Sequence, residues 1–247
     1  MPTDPLHLGA LAALVLAAAV LYSSVGHAGA SAYLAAMGLF GVTPAAMRPA
    51  ALVMNIVVAS AGTWRFASAR AVPWRMLVPL CAASVPAAFL GGMIALPAAA
   101  YQRLLALVLL FAAWRLWSPV AREEPTTPPA APALLSVGAG FGLLAGLTGI
   151  GGGIFLSPLL ILAGWQTPRR TAGASVTFIL VNSVAGLLGQ LSAARRVPDG
   201  TALLAAVALA GGLCGSWLGA RRLPPLAIRR LLAVVLVVAG TKLLVAA

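Results

Sequence analysis

Apolar residues fill this chain in long blocks instead of recurring on one face of an otherwise polar helix. Blocks run over residues 7–24, 29–41, 44–64, 75–95 and 99–117, and after a polar interval over 133–147, 152–164, 168–191, 201–219 and 225–245. A segment apolar on all sides belongs in a protein core or a bilayer, and about 20 such residues cross a membrane once. The pattern predicts an all-α, polytopic membrane protein of eight to ten apolar helical segments. The spread in that number comes from 29–41 and 152–164, each directly behind a glycine cluster and shorter than a full crossing. Each of the two either crosses at a tilt or dips in and returns.

The polar interval divides the chain into two halves that align in order. Val25-Gly-His-Ala-Gly-Ala30 lies over Thr148-Gly-Ile-Gly-Gly-Gly153, and Gly41-Val-Thr-Pro44 lies over Trp165-Gln-Thr-Pro168 after a one-residue slip. Arg70-Ala-Val-Pro73 matches Arg195-Arg-Val-Pro198, Leu96-Pro97 matches Leu223-Pro224, and Arg103-Leu-Leu-Ala106 matches Arg230-Leu-Leu-Ala233. The expected organisation is one transmembrane domain, with a first repeat over 1–118, a linker over 119–132 and a second repeat over 133–247. Each Thr-Pro should open a helix, since proline at the first helical position needs no N–H partner. Basic residues mark cytoplasmic loops. They concentrate at Arg65, Arg70 and Arg75 in the first half but one loop later, at Arg221, Arg222, Arg229 and Arg230, in the second. That shift predicts an inverted repeat with a cytoplasmic linker.

Composition sharpens the class. The chain is 62% hydrophobic and 8% charged, against about 25% charged in a soluble domain. The net charge of +12 does not indicate nucleic acid, because the arginines stand singly or in pairs between apolar runs and not in a phosphate-tracking stripe. The N-terminus lacks the basic stretch of a secretory signal, so residues 7–24 are expected to be a retained span. Cys81 and Cys214 both lie in apolar blocks and cannot build a disulfide framework or a cysteine-rich metal site. The four acids, Asp4, Glu123, Glu124 and Asp199, all fall outside the apolar blocks. Carriers of cations need oxygen-anion ligands at membrane depth, so the substrate should be anionic or neutral, with no metal and no cofactor.

Glycine-interrupted segments at matching places in two halves are the best sequence pointer to a transporter's central site. A break frees backbone N–H groups at the start of the following half-helix, where the helix dipole is positive. Gly149, Gly151, Gly152 and Gly153 form the richer break, with close helix packing as the plainer use of the same glycines. Its counterpart carries Gly26, His27, Gly29 and Ser31. His27 could bond an oxyanion, titrate near neutral pH and couple protons to transport, or donate to a freed carbonyl. Ser31 could cap the new helix or donate to a ligand. Asn55 and Asn182 sit one turn apart on corresponding faces of the Thr-Pro helices, to bond a substrate or another helix. Ser175 and Thr177 are expected to bond back to the preceding turn. Arg48 has no partner acid in its block, and either snorkels to the interface or draws anions into a vestibule. A protease would rest on Ser31 with His27 across a helix break, a poor geometry for controlled attack, so no enzyme activity is expected.

Ser24-Val-Gly-His-Ala-Gly-Ala-Ser-Ala-Tyr-Leu34, with Phe40-Gly-Val-Thr-Pro44 and Arg48-Pro49-Ala50, resembles the first repeat of the TauE/SafE sulfite exporter family. Gly146-Leu-Thr-Gly-Ile-Gly-Gly-Gly-Ile-Phe-Leu-Ser-Pro158 with Phe178-Ile-Leu-Val-Asn182-Ser183 resembles its second. Ala28 and Ala30 stand where many first repeats carry glycine, and His27 is added. The resemblance implies a multi-pass carrier in a bacterial cytoplasmic membrane, moving sulfite or small organosulfonates, with membrane lipid as its other partner. The leading expectation is a secondary transporter exporting a small sulfur-containing anion from a site between the glycine breaks. Alternatives are a proton-coupled uptake permease and a structural subunit of a membrane complex. Monomer and homo-oligomer both stay open.

Overall fold

The computed structural model describes residues 4–24, 28–117, 129–219 and 225–245. Gly26 and His27, residues 119–128 of the expected linker, and Arg221 and Arg222 lie outside the described residues. Among the described residues ten helices follow in order: α1 (Pro5–Ser24), α2 (Ala30–Leu39), α3 (Pro44–Ser68), α4 (Trp74–Met93), α5 (Ala98–Trp117), α6 (Ala131–Thr148), α7 (Gly153–Leu162), α8 (Pro168–Ser192), α9 (Thr201–Gly219) and α10 (Pro225–Val245). Among the described residues six of them, α1, α3, α4, α5, α6 and α8, are long and apolar enough to cross a membrane. The chain is a multi-pass helical membrane protein.

Local chemistry accounts for the boundaries. Pro44 and Pro168 each open a 25-residue helix behind a threonine in extended backbone. Thr167 accepts from the Arg170 N–H at 3.5 Å, whereas Thr43 makes no such cap. The two segments behind the glycine clusters, α2 and α7, are 10 residues each. Left-handed backbone recurs at matching places: Gly29 and Gly152 open α2 and α7, Gly41 and Gly164 follow them, and Arg70 and Ala194 follow α3 and α8. The last pair adopts positive φ, 52° and 57°, without being glycine.

The two halves interlock. Helix α4 lies along α6 and α1 along α9, while α3 meets α8 and α5 meets α10. Gly138, Gly142 and Gly146 bring α6 close against α4, one every four residues along α6. A Cβ on them would fall 2.2, 2.2 and 2.1 Å from the carbonyl oxygens of Leu80, Ser84 and Ala88 on α4. Only glycine lets two helix backbones come so near, the small-residue packing that membrane helices use in place of a hydrophobic driving force. The α1–α9 pair repeats it, with Gly215 against the Val20 carbonyl at 2.1 Å.

The outward surface is apolar, with Val78, Leu107, Leu203, Leu213 and Val238 all exposed. The polar side chains Asn55, Ser84, Thr148, Ser175, Asn182, Ser183 and Gln190 are buried instead. This is the distribution a bilayer imposes, since polar groups facing lipid are costly.

Candidate functional site

The second-half break is fully described. Helix α6 ends where the left-handed Gly149 N–H donates to the Ala145 carbonyl at 2.9 Å. Gly151 and Gly152 are also left-handed, and α7 begins at Gly153. Such an end leaves the last helical carbonyls without intrahelical partners, and first-half side chains supply them. Arg48 Nη2 donates to the Gly146 carbonyl at 2.9 Å. The Tyr101 hydroxyl donates to that of Thr148 at 3.0 Å, and Asn55 Nδ2 to that of Ile150 at 3.3 Å. Alternate carbonyls along the break are thereby taken by α3 and α5.

The donors are left in the opposite state. Ile150 N–H reaches the Thr148 hydroxyl at 3.3 Å. No described residue accepts from the N–H groups of Gly151, Gly152 or Gly153. Asn55 Nδ2 also donates to Ser183 Oγ at 3.3 Å, while its Oδ1 has no partner among the described residues. Both faces of the break are closely covered. A Cβ on Gly151 would lie 2.8 Å from Ser183 Oγ and 3.2 Å from Asn55 Nδ2, one on Gly152 2.8 Å from the Phe178 ring, and one on Gly153 2.5 Å from Ile179. Glycine is required here by backbone conformation and by space together.

The remaining expected residues divide. Asn182 is fully buried, but its Nδ2 bonds back to the Phe178 carbonyl of its own helix at 2.8 Å and its Oδ1 is unpartnered among the described residues. Thr177 bonds back to Gly173 as its position suggested, whereas Ser175 meets Ser157 across to α7 at 2.7 Å. Ser31 does not cap α2: its hydroxyl pairs with that of Tyr22 at 2.7 Å. Gly29 lies under the Tyr33 ring, 2.9 Å from where its Cβ would be. Asn55, Gly149, Gly151, Gly152 and Gly153 come together; the described partners of Gly29 and Ser31 belong to the first half.

Arg48 corrects one alternative. It does not snorkel: the residue is 4% exposed, and its guanidinium donates inward to Ile94 and Gly91 at 3.1 Å each besides Gly146. It stands over the Tyr101 ring, 5.8 Å from the centroid. The C-terminal ends of α4 and α6 converge here, and their negative dipole ends and orphan carbonyls suit a cation with several donors. The α3 backbone at Arg48 also faces Gly149, whose Cβ would fall 3.2 Å from it.

Arg48 borders a cavity of about 160 Å³ together with Tyr101, Gln190 and Arg195. Pro44, Ala45, Ala95 and Leu96 form its apolar wall. Sequence reasoning missed Tyr101, Ser183, Gln190 and Arg195. Arg195 stood out only as the counterpart of Arg70 in the repeat, and a single glutamine near a helix end carried no signal of its own.

The family model for Sulfite exporter TauE/SafE matches residues 11–243. A curated relative from Sinorhizobium fredii (strain NBRC 101917 / NGR234), "Probable membrane transporter protein y4hK", is 37% identical over 250 residues, covering 99% of this chain and 100% of the relative. No solved structure matches the chain.

Proposed function

The chain belongs to the TauE/SafE family of membrane transporters, and from that premise we propose that it exports a small sulfur-containing anion, sulfite or an organosulfonate, across a bacterial cytoplasmic membrane. One observation carries the reading: at the second-half break the carbonyls are occupied by Arg48, Tyr101 and Asn55, while the N–H groups of Gly151, Gly152 and Gly153 have no acceptor among the described residues. A break in that state offers three backbone donors in a row while the carbonyls of Gly146, Thr148 and Ile150 are already taken, a balance that favours an anion. None of the ten helices contains Asp or Glu, so nothing within them repels an anion or recruits a cation.

In this proposal Gly149, Gly151, Gly152, Gly153, Asn55 and Asn182 hold the anion, and Gly26, His27, Gly29 and Ser31 are assigned by sequence as the first-repeat counterpart of that break in an inverted repeat. Movement of one repeat against the other exposes the anion to either side in turn. The cell interior is negative, so the membrane potential favours anion exit by about 2.3 kcal/mol per charge per 100 mV, and proton coupling is not required. The test is flux in proteoliposomes: labelled sulfite should enter under an inside-positive potential, with selective inhibition by taurine or sulfoacetate and little by chloride. A folded protein that moves none of these anions faster than empty liposomes contradicts the proposal.

A further inference from the structure

We propose that the cavity between Arg48, Gln190 and Arg195 is a binding site for one small oxyanion, a station distinct from the glycine break. Arg48 and Asn55 are seven residues apart on α3, about 10 Å at 1.5 Å per residue, so the cavity adjoins the break at its Gly149 end, against which Arg48 packs, and lies two helical turns from Asn55.

Helix capping explains why arginines are here. Arg195 donates to Gly92 at 3.1 Å and Met93 at 3.4 Å, at the end of α4, much as Arg65 donates to Ser216 at 3.0 Å near the end of α9. Capping does not explain the rest. Arg48 spends Nη1 and Nη2 on carbonyls, and its Nε has no partner among the described residues. Gln190 is fully buried with neither its nitrogen nor its oxygen bonded there. A buried amide beside two guanidinium groups is an unfinished polar site. Among the described residues no carboxylate lines the cavity, so there the like charges of Arg48 and Arg195 face it uncompensated.

An oxyanion completes the arrangement. It accepts from Arg48 Nε, from the spare N–H groups of Arg195 and from the Gln190 amide, and such charge-assisted bonds are the strong ones. The opposite wall of Pro44, Ala45, Ala95 and Leu96 brings no side-chain acceptor, which disfavours a cation. The volume of about 160 Å³ is well above the roughly 10–15 Å³ of such space that a single water needs, room for one anion of sulfite size. That the anion is the transported one rests on the carrier reading above; that the cavity binds an anion does not.

The test is binding without transport, read as the melting midpoint of the purified full-length protein in detergent. Sodium sulfite is titrated against sodium chloride of equal ionic strength. The wild-type protein should show a saturable sulfite-dependent rise. Gln190→Leu and Arg195→Gln should weaken the apparent affinity about tenfold or more, while Arg65→Gln, which removes the cap on α9, should retain it. Gln190→Glu guards against a merely misfolded variant: its carboxylate would pair with both arginines, so the midpoint without sulfite should rise and the sulfite response should vanish. No saturable response in the folded wild type, an unchanged response in Gln190→Glu and Arg195→Gln, or equal loss in Arg65→Gln overturns the proposal. The two readings separate cleanly. A sulfite response with no flux leaves the site and removes the carrier; flux with no sulfite response does the reverse.

Discussion

Arg48 on α3 donates to the Gly146 carbonyl on α6 at 2.9 Å, joining the first half of the chain to the last turn before the second-half glycine break. The same guanidinium reaches Gly91 and Ile94 at the end of α4, so one cation ties α3 and α4 of the first half to α6 of the second. Arg48→Leu leaves these carbonyls buried without donors, at about 1–3 kcal/mol for each unsatisfied group, and should fail to yield folded protein. Arg48→Lys keeps the charge but not the planar fork. It should fold with a lowered melting midpoint in detergent and reduced flux. A Leu variant as stable as wild type would show that the clamp is unnecessary.

The α4–α6 contact gives a sharper stability test. Gly146→Ala places a methyl 2.1 Å from the Ala88 carbonyl, so the helices must separate, at about 1–3 kcal/mol for overpacking. Gly140→Ala, six residues earlier on the same helix, meets nothing within 4 Å and should be neutral or stabilising by about 0.5–1 kcal/mol through helix propensity. Thermal unfolding of the two variants side by side checks the pair, and equal effects would contradict the packing described.

Much of this fold is legible in the sequence. Thr43-Pro44 and Thr167-Pro168 mark their helix starts because proline fixes the first turn. Gly149 to Gly153 mark the end of one helix and the start of the next, because left-handed backbone in series has few other users. Pairing of helices is not legible. Gly138, Gly142 and Gly146 announce a close neighbour without naming it as α4, since a glycine stripe carries no information about its partner. The direction of Arg48 fails for a related reason: its partners are backbone carbonyls of Gly91, Ile94 and Gly146, which no residue type signals. Gln190 joins the cavity only because α8 crosses α4, a tertiary fact.

Asn55 bridges the Ile150 carbonyl and Ser183 Oγ from the first half of the chain. Asn55→Leu removes both bonds at similar volume. Loss of about 1–3 kcal/mol from a buried carbonyl, carried into the transport barrier, corresponds to flux lower by about five- to 150-fold. Ser183→Ala, which leaves the Ile150 bond in place, should reduce flux less. Initial rates in proteoliposomes order the variants, and a reversed order would move the clasp out of the mechanism.

His27 lies outside the described residues, and its role rests on its place in the sequence beside the first-half glycines. Histidine changes charge between about pH 5 and 8. If protonation of His27 assists the anion, flux rises as pH falls through that window, and His27→Ala flattens the profile while leaving the melting midpoint near wild type. A profile unchanged by the substitution removes His27 from transport.

The most direct test of the central claim is the rate of labelled sulfite entry into proteoliposomes as the imposed potential is stepped from inside-negative to inside-positive. An anion carrier working without obligatory proton coupling predicts a rate that climbs with inside-positive potential and persists when the proton gradient is collapsed. Sulfite movement indifferent to potential, or none at all from folded protein, would contradict it.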